Sequence, residues 1–358
     1  MAQGRELVLK PYVDLVSVGS GREMTKETLD DFKDFGWQPQ FDIRTMDESM
    51  PRLFALLPCK VSETTVQLAE LIEATLRDAA KSDVEMVSAR LLLTAKNLVQ
   101  LFVITANRHH NAAISSVPQQ AAVFFNNCYF LAHRLILLPY SVAAKEMSKK
   151  PDFASLLSEN IPALRSLAAN ALESMLAQCR RNLSTELNDK TLFTSSTPTG
   201  DHMRDKRATE TLVRCVDQIN AVAAAMRDVL SETVYAKSIG NLAGFLLGEI
   251  GSIVLSMEDI CEYDADHSAL DIDNVIEKLT PLFQNGDYNS MHKMCSQSLF
   301  RAKEIAFCLR ASLQGIDDRW CEGKGPLADL LRPAEVRRLV KALFANTEQR
   351  SRLLTKFA

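Results

Sequence analysis

The sequence predicts an all-α protein made of helical bundles, and three observations support this fold class. Apolar residues recur at three- and four-residue spacing through most of the 358 residues, which is the period of one helix face. Only 13 glycines and 12 prolines interrupt the chain, fewer than an all-β fold with many turns requires. With 47% hydrophobic residues, the chain is long enough to bury more than one core.

Residues 1–60 carry the weakest helical pattern of the chain. A helix over residues 23–35, with Thr25 as its cap, is the one regular element expected there. Glycine and proline then punctuate a polar stretch that ends near Pro58. We therefore predict that residues 1–60 form an irregular and partly disordered N-terminal segment.

Residues 61–190 are predicted to form a bundle of four long helices. Ser62 is a good N-cap for a helix that ends near Ala80, and a second helix covers about residues 84–107. A third begins near Pro118, and a fourth carries a clean apolar face from Leu164 to Leu183. Short connections between long amphipathic helices are typical of a bundle.

Residues 191–203 are predicted to be a linker loop. The tract from Thr194 to Asp201 contains Ser, Thr, Pro and Gly and lacks apolar side chains. It is interpreted as a solvated loop, with a phosphorylated regulatory loop as the alternative. The linker divides the first bundle from a second one, which we place at residues 204–358.

The second bundle is predicted to contain a glycine-lined helix. Gly240, Gly244 and Gly248 recur every four residues after a helix over residues 204–230. In membranes this spacing marks helix dimers. Glu249 and polar flanks favour the soluble counterpart instead, in which small residues allow two helix backbones to approach.

An acidic stretch precedes a basic C-terminus. Residues 258–273 hold seven acidic side chains and no Lys or Arg, whereas residues 332–356 hold seven basic and two acidic ones. An EF-hand starting at Asp264 is excluded, because its sixth position is Ala269 and its twelfth is Val275. Asp271 is interpreted as the cap of a helix over residues 272–283. The acidic loop and the basic helices are expected to face each other, partners or solvent.

Residues 311–358 are predicted to close the second bundle and to present the surface that binds a partner. We expect five apolar side chains of this region to be buried: Trp320, Leu327, Leu339, Leu343 and Phe344. Arg337, Arg338 and Lys341 lie largely off the apolar stripe, so the core does not require them. Three like charges within two turns repel one another and favour an acidic counterpart, either the internal stretch at residues 258–273 or a partner protein.

No catalytic, metal or cofactor motif emerges from the residues. The eight cysteines form no C-x-x-C pair and are expected to be reduced thiols of a cytosolic protein. Neighbouring His109 and His110 point in different directions on a helix and lack Cys, Asp or Glu at ligand spacing. We therefore predict neither enzymatic activity nor a cofactor, and a formal charge of −4 gives no reason to expect nucleic-acid binding. A signal peptide and a convincing membrane span are not expected either.

Two separated motifs resemble the zeste-white ten family. The C-terminal motif has Asp318-Arg319-Trp320, then Gly323-Lys324-Gly325-Pro326-Leu327, then the Ala342-Leu343-Phe344 end of the last amphipathic helix. The upstream motif runs from Pro118 through Asn126-Asn127-Cys128 to Ala132-His133. Family members are longer, so the resemblance implies their C-terminal half: a fragment, a mispredicted gene product or a short relative.

The resemblance implies an elongated stack of helical bundles, as in multisubunit tethering-complex subunits, and a scaffold function. It implies a Rod- or NAG-type large helical subunit as direct partner, with Zwilch, dynein, dynactin and SNARE proteins contacted indirectly. The expected location is cytoplasmic, at the periphery of the ER in interphase and at the kinetochore and spindle in mitosis, where checkpoint proteins are recruited. The alternative function is a helical small-molecule or lipid-binding domain, with a pocket lined by the helix from Phe124 to Leu138.

Overall fold

Helices dominate the computed structural model, which describes residues 1–19, 56–137, 157–195, 202–283 and 288–357. Within these ranges the strands are β1 (Leu15–Val18) and β2 (Cys59–Ser62), which pair antiparallel with Val16 opposite Val61. The α-helices are α1 (Ala2–Leu9), α2 (Glu63–Lys81), α3 (Glu85–Ser116), α4 (Pro118–Leu137), α5 (Ile161–Glu186), α6 (His202–Arg227), α7 (Glu232–Ser256), α8 (Glu262–Leu279), α9 (Tyr288–Arg310), α10 (Leu313–Trp320), α11 (Pro326–Leu330), α12 (Pro333–Leu343) and α13 (Glu348–Thr355). The all-α prediction is confirmed.

The described residues form two compact units. The first comprises residues 1–175 and 225–232, and the second comprises residues 176–224 and 233–358. The boundaries therefore fall within α5 and α6 and at the start of α7. The linker proposed at residues 191–203 is a different division, and residues 196–201 within it lie outside the described ranges. Composition marks where a chain is polar, whereas compactness depends on which helices contact one another.

The N-terminal residues are more regular than the sequence indicates. Residues 1–19 contain α1 and β1, although residues 1–60 were expected to be irregular; the helix predicted at 23–35 lies outside the described ranges. Helix α1 packs against α2 and α3, and Leu7 and Val8 are buried. A Cβ on Gly4 would lie 2.2 Å from Cδ2 of Leu98, so glycine permits this contact. Tertiary packing explains a helix that its own short sequence does not predict.

Most helix limits agree with the sequence, with two instructive differences. The hydroxyl of Ser62 accepts a hydrogen bond from the N–H of Thr65 at 3.3 Å, as expected of an N-cap. Helix α3 continues to Ser116 instead of ending near residue 107. The interpretation of Asp271 as a cap is wrong. It lies inside α8, which begins nine residues earlier and is capped by Cys261, so most of the supposed acidic loop is helical.

Two adjacent asparagines of α4 hold the first unit together. Asn126 Nδ2 donates to the carbonyls of Lys60 and Val229, both at 2.8 Å, and thereby joins β2 to the segment after α6. Asn127 Oδ1 accepts from the N–H of Ser62 at 2.9 Å, and its Nδ2 donates to the Ser62 hydroxyl at 3.0 Å. Both asparagines are buried. Their side-chain amides take the place of water as hydrogen-bond partners of the backbone groups at the end of β2 and the start of α2.

We predict that Asn127→Ala lowers the free energy of unfolding by about 1–3 kcal/mol, because the N–H of Ser62 is then buried without an acceptor. Urea unfolding followed by circular dichroism measures the change. Gln119→Ala, at an exposed site on the same helix, is the matched control and is expected to change stability by less than about 0.5 kcal/mol. Equal effects of the two variants would contradict the structural role of Asn127.

Candidate partner-binding surface

Helix α12 is anchored at its start by a carboxylate network. Glu335 Oε2 accepts from the N–H of Arg332 at 2.9 Å, and Glu335 Oε1 accepts from Arg301 of α9 at 2.8 Å. Burial disfavours the charged carboxylate, but the hydrogen bonds from Arg301 and Arg332 prevail, so the pKa of Glu335 lies below its usual value. Pro333 occupies the first turn, where its missing N–H has no cost.

The three cations predicted to bind a partner are all exposed on α12. Arg337, Arg338 and Lys341 project away from the buried side chains of Val336 and Leu339. None of the three makes an ion pair with any residue of the described ranges. The surface formed by Arg337, Arg338 and Lys341 is called the basic triad below.

The acidic stretch at residues 258–273 does not neutralise the basic triad. Asp264 and Asp271 pair with Arg204, and Asp273 pairs with Arg310. The N–H of Ile260 does donate to the carbonyl of Ala342 at 3.0 Å, so this stretch lies beside the end of α12. Its carboxylates nevertheless form no ion pair with the triad in the described structure. Within the described ranges, the acidic stretch is therefore not the counterpart of the basic triad.

The predicted burial of the C-terminal apolar residues is confirmed for three of five. Trp320, Leu327 and Leu339 are at most 4% exposed. Leu343 and Phe344 are only partly buried. Helix α12 ends at Leu343, and Phe344 has extended backbone dihedral angles (φ −120°, ψ 141°), so it leaves the helical stripe that predicted its burial.

The motif from Asp318 to Pro326 builds a sharp turn between α10 and α11. Cys321, Glu322 and Gly323 have φ values of 48°, 53° and 80°, a left-handed run that only glycine adopts without strain. The N–H of Gly325 donates to the carbonyl of Trp320 at 3.0 Å. A Cβ at residue 325 would lie 2.1 Å from the carbonyl oxygen of Arg319, which excludes any other residue type. Pro326 then starts α11.

The side chains of this motif also have structural roles. Arg319 makes two hydrogen bonds to the buried carboxylate of Glu304, at 2.9 and 2.6 Å, and its guanidinium lies 4.9 Å above the ring of Phe307. Trp320 packs edge-to-face with Phe357. Asp318 is exposed and accepts a hydrogen bond from Gln314 of the same helix. These contacts fix α9, α10 and the end of the chain relative to one another.

The glycine pattern of α7 meets a neighbouring helix at two of its three positions. A Cβ on Gly240 would lie 2.6 Å from Cβ of Met294, and one on Gly244 would lie 3.3 Å from Cβ of Cys295. Helix α9 bends there, since Cys295 has non-helical dihedral angles. Gly248 has no atom within 4 Å of the Cβ position, so the close approach suggested by the four-residue spacing does not extend to it. The next close contact of α7 is at Gly251, beside Ile305.

We predict opposite effects of substitution along α7. Gly240→Leu is expected to destabilise the protein by at least about 1–3 kcal/mol, because the added side chain overlaps Met294. Gly248→Ala is expected to stabilise it by about 0.5–1 kcal/mol, because helix propensity improves in open space. Thermal melts of both variants provide the comparison. Destabilisation by Gly248→Ala would show that another surface covers this position.

Sequence reasoning did not identify a buried charge cluster in the second unit. Arg204 of α6 is 2% exposed and lies within ion-pair distance of Asp205 (3.1 Å), Asp271 (3.3 Å) and Asp264 (3.7 Å). Its Nη2 donates to the hydroxyl of Ser268 at 2.8 Å. The acidic residues of α8 thus compensate one buried cation. In the sequence, the only indication of this cluster is the excess of acidic residues at 258–273.

Asp271 is the member of this cluster with a clear change in proton affinity. Burial raises its pKa from 3.8 to about 6, against the opposing effect of Arg204. Asp205 adds to the rise, and His267 opposes it. Between pH 3.8 and about pH 6, Asp271 is therefore mostly protonated in the folded protein and mostly ionised in the unfolded chain.

We predict that the stability of the wild type relative to Asp271→Asn falls as pH rises from about 4 to about 6. A raised pKa in the folded state contributes stability below the unfolded value and loses it as pH passes the folded value. The loss amounts to at most about 3 kcal/mol for a shift of this size. Urea unfolding of both proteins at intervals from pH 4 to 7 measures it. A difference that does not vary with pH would mean that Asp271 titrates normally.

The described ranges contain no metal-binding cluster, and burial raises the pKa of cysteine thiols there. No group of three or more His, Cys, Asp or Glu side chains there is placed to hold a metal ion. His110 Nε2 donates to the carbonyl of Val8 at 2.9 Å, and burial lowers the pKa of His110. Burial raises the pKa of Cys308 to about 12 and that of Cys295 to about 11, so both thiols stay protonated.

Two of the described helices, α3 and α7, are long and apolar enough to cross a membrane by length and composition alone. In the most apolar window of α7, 67% of the residues are buried, as in the core helix of a folded domain. The corresponding value for α3 is 28%. The exposure of α3 therefore requires a separate explanation.

Long packed helices over the described ranges define the class as an all-helical protein. The fold is similar to the C-terminal domain of the exocyst subunit Sec6p, with a TM-score of 0.54 and 10% identity, covering 94% of this chain and 92% of that one. The apo structure of Myo2-GTD is also similar, with a TM-score of 0.53 and 12% identity to this chain, covering 82% of this chain and 73% of that one. Residues 54–185 match the family model "Centromere/kinetochore protein zw10, C-terminal", and residues 210–357 match "ZW10 C-terminal helical domain". The chain belongs to the zeste-white ten family.

Curated relatives agree with this assignment. The centromere/kinetochore protein zw10 homolog of Caenorhabditis elegans is 31% identical over 330 residues, covering 87% of this chain and 42% of the relative. The homolog of Rattus norvegicus is 29% identical, covering 86% and 40%, and zw10 of Drosophila melanogaster is 22% identical, covering 83% and 38%. The chain thus spans about two fifths of the length of these relatives. The family is a kinetochore and tethering scaffold family that is not known to be catalytic.

Proposed function

We propose that the chain is a non-catalytic scaffold segment whose basic triad on α12 binds an acidic surface of a large helical partner subunit. The carrying observation is that Arg337, Arg338 and Lys341 are exposed and form no ion pair with the described residues. Three unpaired cations on one short, well-anchored helix cost stability through mutual repulsion. An acidic partner removes that repulsion and gains steering of its encounter with this chain.

Family membership directs the proposal to two complexes. The first is a Rod–Zwilch type complex that recruits dynein and checkpoint proteins to the kinetochore in mitosis. The second is an ER-bound tether, with a NAG-type subunit, that captures Golgi-derived vesicles and contacts SNARE proteins. In both, the partner of the triad is the large helical subunit. Zwilch, dynein, dynactin and SNAREs are then reached through the complex, and membrane association is peripheral.

The packing of α4 does not favour the alternative function of a small-molecule or lipid-binding domain. Its pocket was expected along the helix from Phe124 to Leu138, of which Leu138 lies outside the described ranges. Phe124 and Cys128 have no exposed surface, and Leu131 is 2% exposed. Phe124 stacks with Phe102, with ring centroids 6.2 Å apart. These side chains are already in contact with protein, and a ligand would have to displace those contacts.

We predict that reversing the triad, as Arg337→Glu, Arg338→Glu and Lys341→Glu together, abolishes partner binding and leaves the fold intact. Stability should change by no more than about 1 kcal/mol, because the charges are exposed. Co-expression with the Rod- or NAG-type subunit, followed by affinity purification at low and high salt, measures binding. Wild-type binding should weaken as salt rises.

A matched control reverses three other exposed cations that lack ion pairs with described residues: Arg165, Lys190 and Lys237. This control carries the same change in net charge and should retain the partner. A folded triad variant that still binds at wild-type strength would place the partner surface elsewhere. Loss of binding in both variants would indicate a general effect of net charge.

A further inference from the structure

Exposed apolar side chains are concentrated on α3 of the first unit. Twelve large apolar residues of the described ranges are exposed, and six of them lie between residues 84 and 117. The most exposed on the helix itself are Met86 (76%), Ile104 (59%) and Leu93 (53%). Isolated apolar residues are normal on a protein surface, but a concentration of them on one helix indicates an interaction site.

Met86, Leu93 and Ile104 form one line along the outer face of α3. Their separations of seven and eleven residues place them within about 20° of one another on a helix, over about 27 Å. Asn97 and Gln100 occupy the intermediate turns of the same line and are partly exposed. This spacing is the one with which a helix packs against a second helix that lies nearly parallel to it. These five residues are called the α3 stripe below.

Unpaired positive charge borders the α3 stripe. Arg90 and Arg108 each follow a stripe residue by one turn, are exposed and have no ion pair within the described ranges. The third cation of the helix, Lys96, is paired with Glu159 at 2.9 Å. Glu85, at the first position of α3, is its only acidic residue. A binding surface for this stripe must therefore supply negative charge near both arginines.

The amides of the α3 stripe and the arginines beside it disfavour two other occupants, a second copy of this chain and a bilayer. In an antiparallel pair of α3 helices from two copies of this chain, Arg90 of each copy would face Arg108 of the other, and in a parallel pair each arginine would face its own equivalent. Both arrangements bring like charges together. A bilayer interior leaves the amides of Asn97 and Gln100 without hydrogen-bond partners, whereas a helix–helix interface tolerates such polar residues.

We propose that the α3 stripe binds an acidic amphipathic helix of another protein, with aliphatic side chains between Leu93 and Ile104 and carboxylates at Arg90 and Arg108. This surface is independent of the basic triad, which lies in the second unit. The bound helix gives the chain a second point of assembly. It also covers the apolar line that α3 exposes.

The test uses two synthetic alanine-based peptides of about 25 residues, long enough to span the stripe. Both carry one leucine stripe, flanked by glutamates in the first peptide and by lysines in the second. Fluorescence anisotropy with the full chain should give affinity at least about tenfold higher for the acidic peptide. Leu93→Asn with Ile104→Asn should weaken that binding by at least about tenfold. Arg90→Glu with Arg108→Glu should reverse the preference in favour of the lysine peptide.

Leu270→Asn is the matched control, because Leu270 is also 50% exposed but lies on α8 of the other unit. It should leave peptide affinity unchanged. Lack of preference between the peptides, or unchanged affinity in the Leu93 and Ile104 variant, overturns the proposal. Two further results would also overturn it. One is that the chain binds phosphatidylserine vesicles instead of the peptide and that the Leu93 and Ile104 variant abolishes this binding. The other is that the chain forms a dimer that the Leu93 and Ile104 variant dissociates. The charge reversal on α12 should not alter peptide affinity, so this outcome is separate from that of the proposed function.

Discussion

Buried polar groups must find partners inside the protein, and this requirement shapes both units. In the first unit, Asn126 and Asn127 lie in an otherwise apolar helix and replace water for the backbone around β2. In the second, Arg204 is held by three carboxylates and one hydroxyl. Apolar burial supplies most of the driving force for helix packing but tolerates many arrangements. Directional polar contacts restrict the packing to one arrangement, since any other leaves a buried group unpaired.

The two motifs that resemble the zeste-white ten family have structural explanations. Asn126 and Asn127 join elements that are distant along the chain, and Gly325 permits a backbone approach that any Cβ would block. Arg319 neutralises the buried carboxylate of Glu304. The roles of these residues in the two motifs are therefore structural. They do not by themselves reveal which surface meets a partner.

The two surfaces that we propose for partner binding lie where the packing of the described residues leaves side chains unpaired. The basic triad and the α3 stripe differ in chemistry, since the first is purely cationic and the second combines three apolar side chains with two amides and is bordered by two arginines. Neither surface contributes to a core. The buried face of α12 runs through Val336 and Leu339, and the buried face of α3 runs through Leu98 and Phe102. Substitutions on either proposed surface should therefore leave intact the helices that position it.

The sequence by itself determined the all-α class, most helix positions, the N-cap at Ser62 and the exposed face of α12. Each of these depends on residues within a few turns of one another, so periodicity and capping rules reach them. Only the tertiary structure decided that Asp271 lies inside a helix beside Arg204, that α1 forms against α3, and that Gly240 meets a backbone while Gly248 does not. These outcomes depend on which helices become neighbours, because burial and charge pairing are set by residues far apart in the chain.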